Sequence, residues 1–244
     1  MLKQTSAGIW QSDLLLSVTG LVHGYSSRRL GDMRKNENRE TFLNFLRLNL
    51  SSLVFSEQIH ANKIHIVTDR DLEKKVFGTD GLVYKKNNGM SGLAVRVADC
   101  VPILAVDPDA SVIGVAHAGW KGTLGSIATR LIDTMKSVGA DTERILVSVG
   151  PHIGMCCYSV PEERAGQFVK MFNSDPRIMS HIEGAPHLDL GYANVQQLLE
   201  AGISVDHIDV AITCTSCQVD TFFSYRKDTG ETFGEILGVI GYAH

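Results

Sequence analysis

Apolar runs punctuate the chain with two different periods. Runs rich in Val, Ile and Leu predict strands at 21–26 (LVHGYS), 63–67 (KIHIV), 81–84 (GLVY), 92–98 (GLAVRVA), 102–107 (PILAVD), 112–118 (VIGVAHA), 145–150 (ILVSVG), 208–213 (IDVAIT) and 235–242 (EILGVIGY). Several have no polar alternation, as in strands covered on both faces. A period near 3.6 follows Trp120: Leu124, Ile127, Ala128, Leu131, Ile132, Met135 and Val138 fall on one stripe, with Gly139 placed to stop the helix. PEERAGQFVKMF (161–172) opens with Pro at a first helical position and early Glu residues. NVQQLLEAG (194–202) ends at Gly202, and Asn36 or Asn38 is placed to cap a helix running to about Leu50. The class is α/β (α+β), with too many short strands for simple βαβ alternation. No repeat, low-complexity tract or Pro/Gly/Ser-rich linker interrupts residues 1–244, so a single domain is expected.

Composition narrows the function classes. The 244 residues are 44% hydrophobic and 20% charged, enough for a core without covalent staples. Lys+Arg number 23 against 27 Asp+Glu, a net charge of −4 that argues against nonspecific nucleic-acid binding. Five cysteines, an odd and small number, fit a reducing cytoplasm better than a disulfide scaffold. The N-terminal residues do not read as a secretory signal, and no window of about 18 apolar residues predicts a membrane span.

Three positions carry candidate chemistry. Cys100 follows Asp99 in RVADCVPILAVD, at a strand end or bend beside Pro102. It is either a small buried hydrophobe or a thiolate that binds metal or attacks substrate. His117 ends the strand in VIGVAHAGWKGT, where α/β proteins place functional groups, and the helix start with Lys121 beyond it is a candidate anion site. His60 lies in SEQIHANKIHIV, on a half-exposed segment. Two imidazoles and one thiolate suit a catalytic zinc with one open position, although separations of 40 and 17 residues are unlike a zinc finger. Arg226, emerging from the apolar-aromatic TFFSY, is expected to hold a substrate phosphate or sugar, or to pair with Asp228; Arg28 in HGYSSRR is a similar candidate. Cys214 and Cys217 form a C-x-x-C pair that is formally half of a four-cysteine zinc site with Cys156 and Cys157. Adjacent cysteines chelate one tetrahedral ion poorly, so these four are assigned to structure or weak redox sensitivity.

The segments HGYSSR, EQIHANKI, TDGLV, ADCVPILAVDP, GVAHAGWKGT, GPHIGMCCYSV, HLDL with NVQQLLEAGI, and FFSYRKD span most of the chain. Together they resemble the YfiH/laccase-domain family of bacterial cytoplasmic proteins, once called multicopper polyphenol oxidases. The resemblance implies a four-layer αββα sandwich with mixed sheets, related to a cysteine-hydrolase-like architecture. It implies zinc on His60, Cys100 and His117, the trio already selected by donor chemistry. The implied activity is phosphorolysis of adenosine, inosine, guanosine and S-methyl-5′-thioadenosine, with hydrolytic deamination of adenosine. Cys100, His117 and His60 are then the catalytic group, and Arg28, Lys121 and Arg226 the substrate-binding candidates. Asp99 is the nearest carboxylate to serve as an acid. The implied partners are a purine nucleoside and phosphate, on a monomer or homodimer. Copper-dependent polyphenol oxidase activity is also attributed to the family; nine histidines with no HxH pair fit it poorly. Two more readings stand beside these: a hydrolase editing peptidoglycan precursors, with Cys100 as nucleophile and His117 as base, and a non-catalytic interaction module. The chain departs from the family in a trimmed SSRRLGDMRKNENRE stretch, in DTGETFGEILG with Glu231 and Glu235, and in Lys121 where Arg is commoner. These departures bear on substrate preference and leave the metal trio intact.

Overall fold

The computed structural model describes residues 1–71, 75–86 and 92–242. The first half of the chain contains β1 (Leu2–Gln4), β2 (Trp10–Ser12), α1 (Asp13–Leu16), β3 (Leu21–Tyr25), α2 (Asn36–Phe45), β4 (Leu53–Ser56), β5 (Ile64–Ile66), β6 (Lys75–Val76), β7 (Gly81–Lys85), β8 (Gly92–Val97), β9 (Val101–Asp107) and β10 (Val112–Ala118). The second half contains α3 (Trp120–Leu124), α4 (Ile127–Ser137), β11 (Leu146–Val149), α5 (Glu162–Met171), β12 (Met179–Ile182), β13 (Ala185–Leu188), α6 (Leu190–Glu200), β14 (Ile208–Val210) and β15 (Ile236–Tyr242). Two mixed sheets hold most strands, one in the order β1-β2-β3-β15-β8-β4-β6 and the other in the order β14-β11-β9-β10-β7-β5. All nine strands expected from apolar runs are present.

Side-chain alternation along the central strands builds the layers. In β9, Ile103 and Ala105 join the core under α4 to α6, whereas Leu104 and Val106 join the core between the sheets. In β15, Leu237 and Val239 pack with Phe42 and Leu43 of α2, whereas Ile240 and Tyr242 face the second sheet. The result is α2, sheet, sheet, then the remaining large helices: the expected αββα order. Both faces of β9, β10 and β15 are covered, which is why their sequences run apolar without a break. The sheets are also pinned by a polar contact. The Tyr25 hydroxyl, fully buried, donates to the Ser148 carbonyl at 2.9 Å across the interlayer core. Gly150 and Gly238 make room for its ring, since a Cβ at either would press on it.

The helices differ from expectation in two places. The apolar stripe after Trp120 continues through a break: Ser126 adopts a left-handed backbone (φ 60°), splitting α3 from α4. Gly125 has no Cβ to obstruct Asn62, whose amide donates to the Gly125 carbonyl at 2.7 Å. Arg130 Nε donates to the same carbonyl at 3.1 Å. These bonds satisfy a carbonyl that the helix interruption leaves free. Ile127, Leu131, Ile132 and Met135 then bury fully, each worth about 1.5–3 kcal/mol relative to exposure. Gly139 and Gly202 close α4 and α6 in left-handed conformations, as their positions predict. The second helix is shorter than expected and ends at Phe45; Lys35, not an asparagine, occupies its cap position. Among the described residues, no helix is long and apolar enough to cross a membrane.

One buried polar group sets an acid limit. His23 is fully buried, and its Nε2 accepts the Ser12 N–H at 2.8 Å. Burial pulls His23 down to about 4 against the opposing charge of Asp209. The unfolded chain binds that proton below about pH 6.5, so its contribution to stability is whole above 6.5 and is lost as pH falls towards 4. Urea unfolding at pH 7.5 and pH 5 should therefore show about 2 kcal/mol more acid loss for the native chain than for His23→Gln. Equal losses in the two proteins would overturn the neutral assignment.

Candidate metal centre and its cavity

Strand register brings the first site residues together. The β9–β10 hairpin pairs His117 with Pro102 and Ala118 with Val101. One further step sets Cys100 opposite Gly119, where a Cβ would come 3.2 Å from the Cys100 sulfur and 3.3 Å from His60 Cδ2. On its other edge β10 pairs Ala116 with Gly81 of β7. One step beyond that pair lies Asp80 beside His117, with the His117 N–H donating to the Asp80 carbonyl at 2.7 Å. Cys100, His117 and Asp80 thus follow from two adjacent strand registers.

His60 comes from the loop before β5, and Asp80 shapes that loop. The Asp80 carboxylate accepts the backbone N–H groups of Ile59 (3.2 Å), His60 (2.8 Å) and Ala61 (2.8 Å). Wrapping successive N–H groups around one anion makes a nest. It holds Gln58 and His60 in left-handed conformations (φ 65° and 58°) that are otherwise costly. The same carboxylate lies 2.9 Å from His117 Nδ1, which leaves His117 Nε2 free. Burial alone would raise the Asp80 pKa; the His117 ring and the Ala61 and His60 amides outweigh it and keep the carboxyl below its ordinary value.

The electrostatics favour a thiolate. Burial raises the Cys100 thiol, but the His117 charge and hydrogen bonds from His117 and His60 bring it down to about 6. Burial lowers His117, but Cys100 and Asp80 push it up to about 10. Cys100 and His117 thus each favour the charged form of the other. The His60 and His117 rings meet edge to face at 4.8 Å, and the ligand atoms of His60, Cys100 and His117 all lie within 4.8 Å of one another. Donors bonded to one zinc at about 2.0–2.3 Å sit roughly 3.3–3.8 Å apart, so the set closes on such an ion with small movements. A carboxylate on the far nitrogen of a ligating imidazole is the usual outer support of such sites. The residues fit a metal with two imidazoles, one thiolate and a vacant fourth position.

The three donors line a cavity of about 550 Å³, within the range of small-molecule sites. Trp120, Tyr158, Arg164, Tyr225, Arg226 and Phe233 contribute to its walls. A larger, more open hollow of about 900 Å³ beside Arg39 and Asn49 contains none of the expected site residues. The Arg164 guanidinium lies 4.2 Å over the Trp120 ring, and one of its terminal nitrogens is 3.4 Å from the Tyr158 hydroxyl. Its Nε is buried without a partner among the described residues. Exposed Tyr225 meets Phe233 edge to face at 5.9 Å on the cavity wall.

The remaining expected residues are placed as follows. Arg226 lines the cavity, but its guanidinium donates to the Cys157 carbonyl and to the Ser159 hydroxyl and carbonyl at 3.0–3.1 Å. Asp228 pairs not with Arg226 but with Arg28, whose Nη2 reaches both carboxylate oxygens at 2.7 Å. Arg28 also stacks 4.2 Å over Phe223 and lies outside the cavity wall. Lys121 is exposed, 5.5 Å over the Trp120 ring and likewise outside the wall. The helix it starts has only five residues, too short for the dipole site expected of a long helix. Asp99 has a left-handed backbone (φ 81°), and its carboxylate accepts from Thr215 Oγ1, Ser224 Oγ and the Arg226 N–H at 2.6–3.0 Å. It lines the cavity while these three bonds tie it to the 215–226 loop. Sequence reasoning missed Asp80, Tyr158 and Arg164 as site residues; Asp80 sits in TDGLV, where turn chemistry alone accounts for it.

Comparison with known proteins identifies the family. Residues 26–243 match the family model described as multi-copper polyphenol oxidoreductase laccase. The chain belongs to this family. A relative from Geobacillus stearothermophilus, purine nucleoside phosphorylase YlmD, is 39% identical over 227 residues, covering 87% of this chain and 81% of that protein. Adenosine deaminase RL5, from an unknown prokaryotic organism, is 33% identical over 213 residues, covering 82% and 80%. The crystal structure of YlmD from Geobacillus stearothermophilus superposes with a TM-score of 0.87 at 32% identity, covering 100% of this chain and 99% of that one. Family members thus carry the names of enzymes acting on purine nucleosides, on this same αββα scaffold.

Two substitutions test these assignments. Asp80→Asn should weaken Zn²⁺ binding by the trio about 10–100-fold in chelator competition, because the imidazole and the His60 loop lose their anchor; unchanged affinity would remove Asp80 from the site. Arg28→Gln should cost about 1–3 kcal/mol of stability by leaving Asp228 uncompensated, with metal uptake at the trio unchanged. Unaltered unfolding of Arg28→Gln would refute the structural role of that pair.

Proposed function

We propose that this protein is a zinc-dependent purine nucleoside phosphorylase, acting on adenosine, inosine, guanosine and S-methyl-5′-thioadenosine, with adenosine deaminase activity. The observation that carries the reading is the meeting, in one cavity, of a His₂Cys donor set, a free arginine nitrogen and exposed aromatic rings. The names of the relatives supply the substrate class. His60, Cys100 and His117 would hold the ion, with Asp80 fixing the two imidazoles. When bound, the ion supplies Lewis-acid charge and a water of lowered pKa. The thiolate and two imidazoles make zinc the favoured occupant, as borderline-soft donors do.

The rest of the cavity fits a nucleoside and an anion. In phosphorolysis, phosphate attacks the ribose C1′ as the purine leaves, giving ribose 1-phosphate and free base. Arg164 is the first candidate to hold that phosphate, since it lines the cavity, its Nε has no partner among the described residues, and Trp120 and Tyr158 fix its plane. Arg226 supports it from the opposite loop. Tyr225 and Phe233 offer faces for the purine. Burial raises the Tyr158 hydroxyl despite Arg164, so it keeps its proton for a departing base or amino group. Deamination replaces the purine 6-amino group with a water oxygen and releases ammonia, and needs no phosphate. Cytoplasmic residence is part of the reading.

A second reading has one supporting observation: the Asp80–His117–Cys100 contact sequence is also that of a cysteine hydrolase. Purified protein incubated with adenosine decides between them. Adenine and ribose 1-phosphate should appear only with phosphate, inosine with or without it, and both should fall at least 100-fold in His117→Ala. Arg164→Ala should raise the KM for phosphate about tenfold or more. No turnover by metal-replete protein would overturn the proposal; activity of a metal-free, alkylation-sensitive protein would support the hydrolase instead.

A further inference from the structure

The structure brings together four cysteines that lie in two distant pairs along the sequence. Cys156 Sγ lies 3.5 Å and Cys157 Sγ 3.4 Å from Cys217 Sγ, and the sulfurs of Cys156, Cys157, Cys214 and Cys217 all lie within 4.8 Å of one another. We propose that these four thiolates form a second metal site, closed and structural, that takes zinc or another thiophilic divalent ion.

The distances fit an ion. Four Zn–S bonds of about 2.3 Å hold sulfurs about 3.8 Å apart, inside the observed spread. The separations are well beyond a bonded pair at about 2.05 Å, and all four cysteines are free. Packing does not explain the cluster: Cys156 and Cys217 are exposed, whereas a cysteine serving as a small hydrophobe is buried. The backbone prepares the site. Thr215 N–H donates to the His152 carbonyl at 3.0 Å beside a parallel bridge between His152 and Cys214. The Gly154 N–H then points at Cys214 Sγ, 3.2 Å away, where it supports sulfur charge. The turn closed by the Cys157 and Tyr158 N–H groups on the Gly154 carbonyl removes the difficulty of adjacent ligands, because it sends both neighbouring sulfurs to Cys217. An ion with four thiolates carries a net charge of −2, and the Arg226 guanidinium donates to the backbone carbonyl of one ligand residue, Cys157, at 3.1 Å. With four protein donors there is no open position, so the ion serves architecture and not turnover.

Its architectural role follows from what each loop continues into. One loop leads directly to Tyr158 on the cavity wall, and the other leads to Ser224 and Arg226, which hold Asp99 next to Cys100. The ion would tie two walls of the cavity together outside the catalytic trio. This inference does not depend on which reaction the trio performs.

Metal counting tests it in the full chain. The native protein should take up two Zn²⁺ per chain, and His60→Ala/Cys100→Ala should keep one. Adding Cys156→Ser/Cys217→Ser should remove that one as well. Titration of the His60→Ala/Cys100→Ala chain with Co²⁺ should give tetrahedral cobalt absorption with thiolate charge transfer, lost in the four-fold variant. If the serine variants fail to fold, the native chain still decides: bound Co²⁺ must show a more thiolate-rich spectrum than the trio can give. No metal in the His60→Ala/Cys100→Ala chain, or a native chain whose metal is lost in His60→Ala/Cys100→Ala and kept in Cys156→Ser/Cys217→Ser, would overturn the site. So would intact mass showing a disulfide among these four cysteines in protein purified under reducing conditions. A native chain whose one equivalent survives in His60→Ala/Cys100→Ala would support the site and count against the trio.

Discussion

The Asp80 carboxylate is the constraint on which the site depends. It is fully buried at the edge of β7, where an anion is costly unless every lone pair is used. Three consecutive amides of the 59–61 loop and the His117 ring use them. One buried charge thus orients one imidazole and fixes the backbone conformation that presents the other. Because it accepts from both sides of the cluster, His60 and His117 are not independent elements: displacing either leaves unpaired donors around the same anion. The Cys100 thiolate completes the arrangement by balancing the imidazolium that Asp80 favours.

The two sheets give this cluster a rigid floor. Cys100, Asp80 and His117 sit at strand ends whose positions are set by ladders, and the one sheet that carries them is locked to the other by an apolar interlayer and by Tyr25 on Ser148. The walls, in contrast, are drawn in large part from loops, 57–60, 153–158 and 225–235, with Trp120 of α3 and Arg164 of α5 between them. This division suits a family whose named members act as a phosphorylase or as a deaminase on one scaffold. Strand ends fix side chains closely, whereas loops tolerate change without disturbing the sheets beneath them.

The sequence is most legible where burial is two-sided. Strands β9, β10 and β15 announce themselves as continuous apolar runs, and Gly139 and Gly202 mark helix ends because left-handed closure suits glycine. Strands β1, β2, β4 and β6 escape notice: they have two to four residues each, too few to show a period. The α3–α4 break is invisible because the stripe from Leu124 to Met135 keeps its spacing through Gly125 and Ser126, and the cause lies in Asn62, over 60 residues away. His60, Cys100 and His117 are selected by donor chemistry and by family resemblance, and the structure unites them. Asp80 has no such signal, since a lone Asp before Gly reads as a turn. The settings of Arg28 and Asp99 are illegible for a common reason: their partners, Asp228 for Arg28 and Thr215 and Ser224 for Asp99, lie more than 100 residues away along the chain.

The β9–β10 hairpin separates two kinds of change in the gene. Its turn, residues 108–111, lies at the far end from Cys100 and His117, so lengthening or shortening it leaves the two ligands facing each other. Inserting or deleting one residue within either strand inverts the faces beyond it and sends cysteine and histidine to opposite sides of the sheet. Natural variants of this chain should therefore differ freely in loop length at one end of the hairpin and be invariant in strand length, a pattern of tolerance dictated by pleat geometry alone.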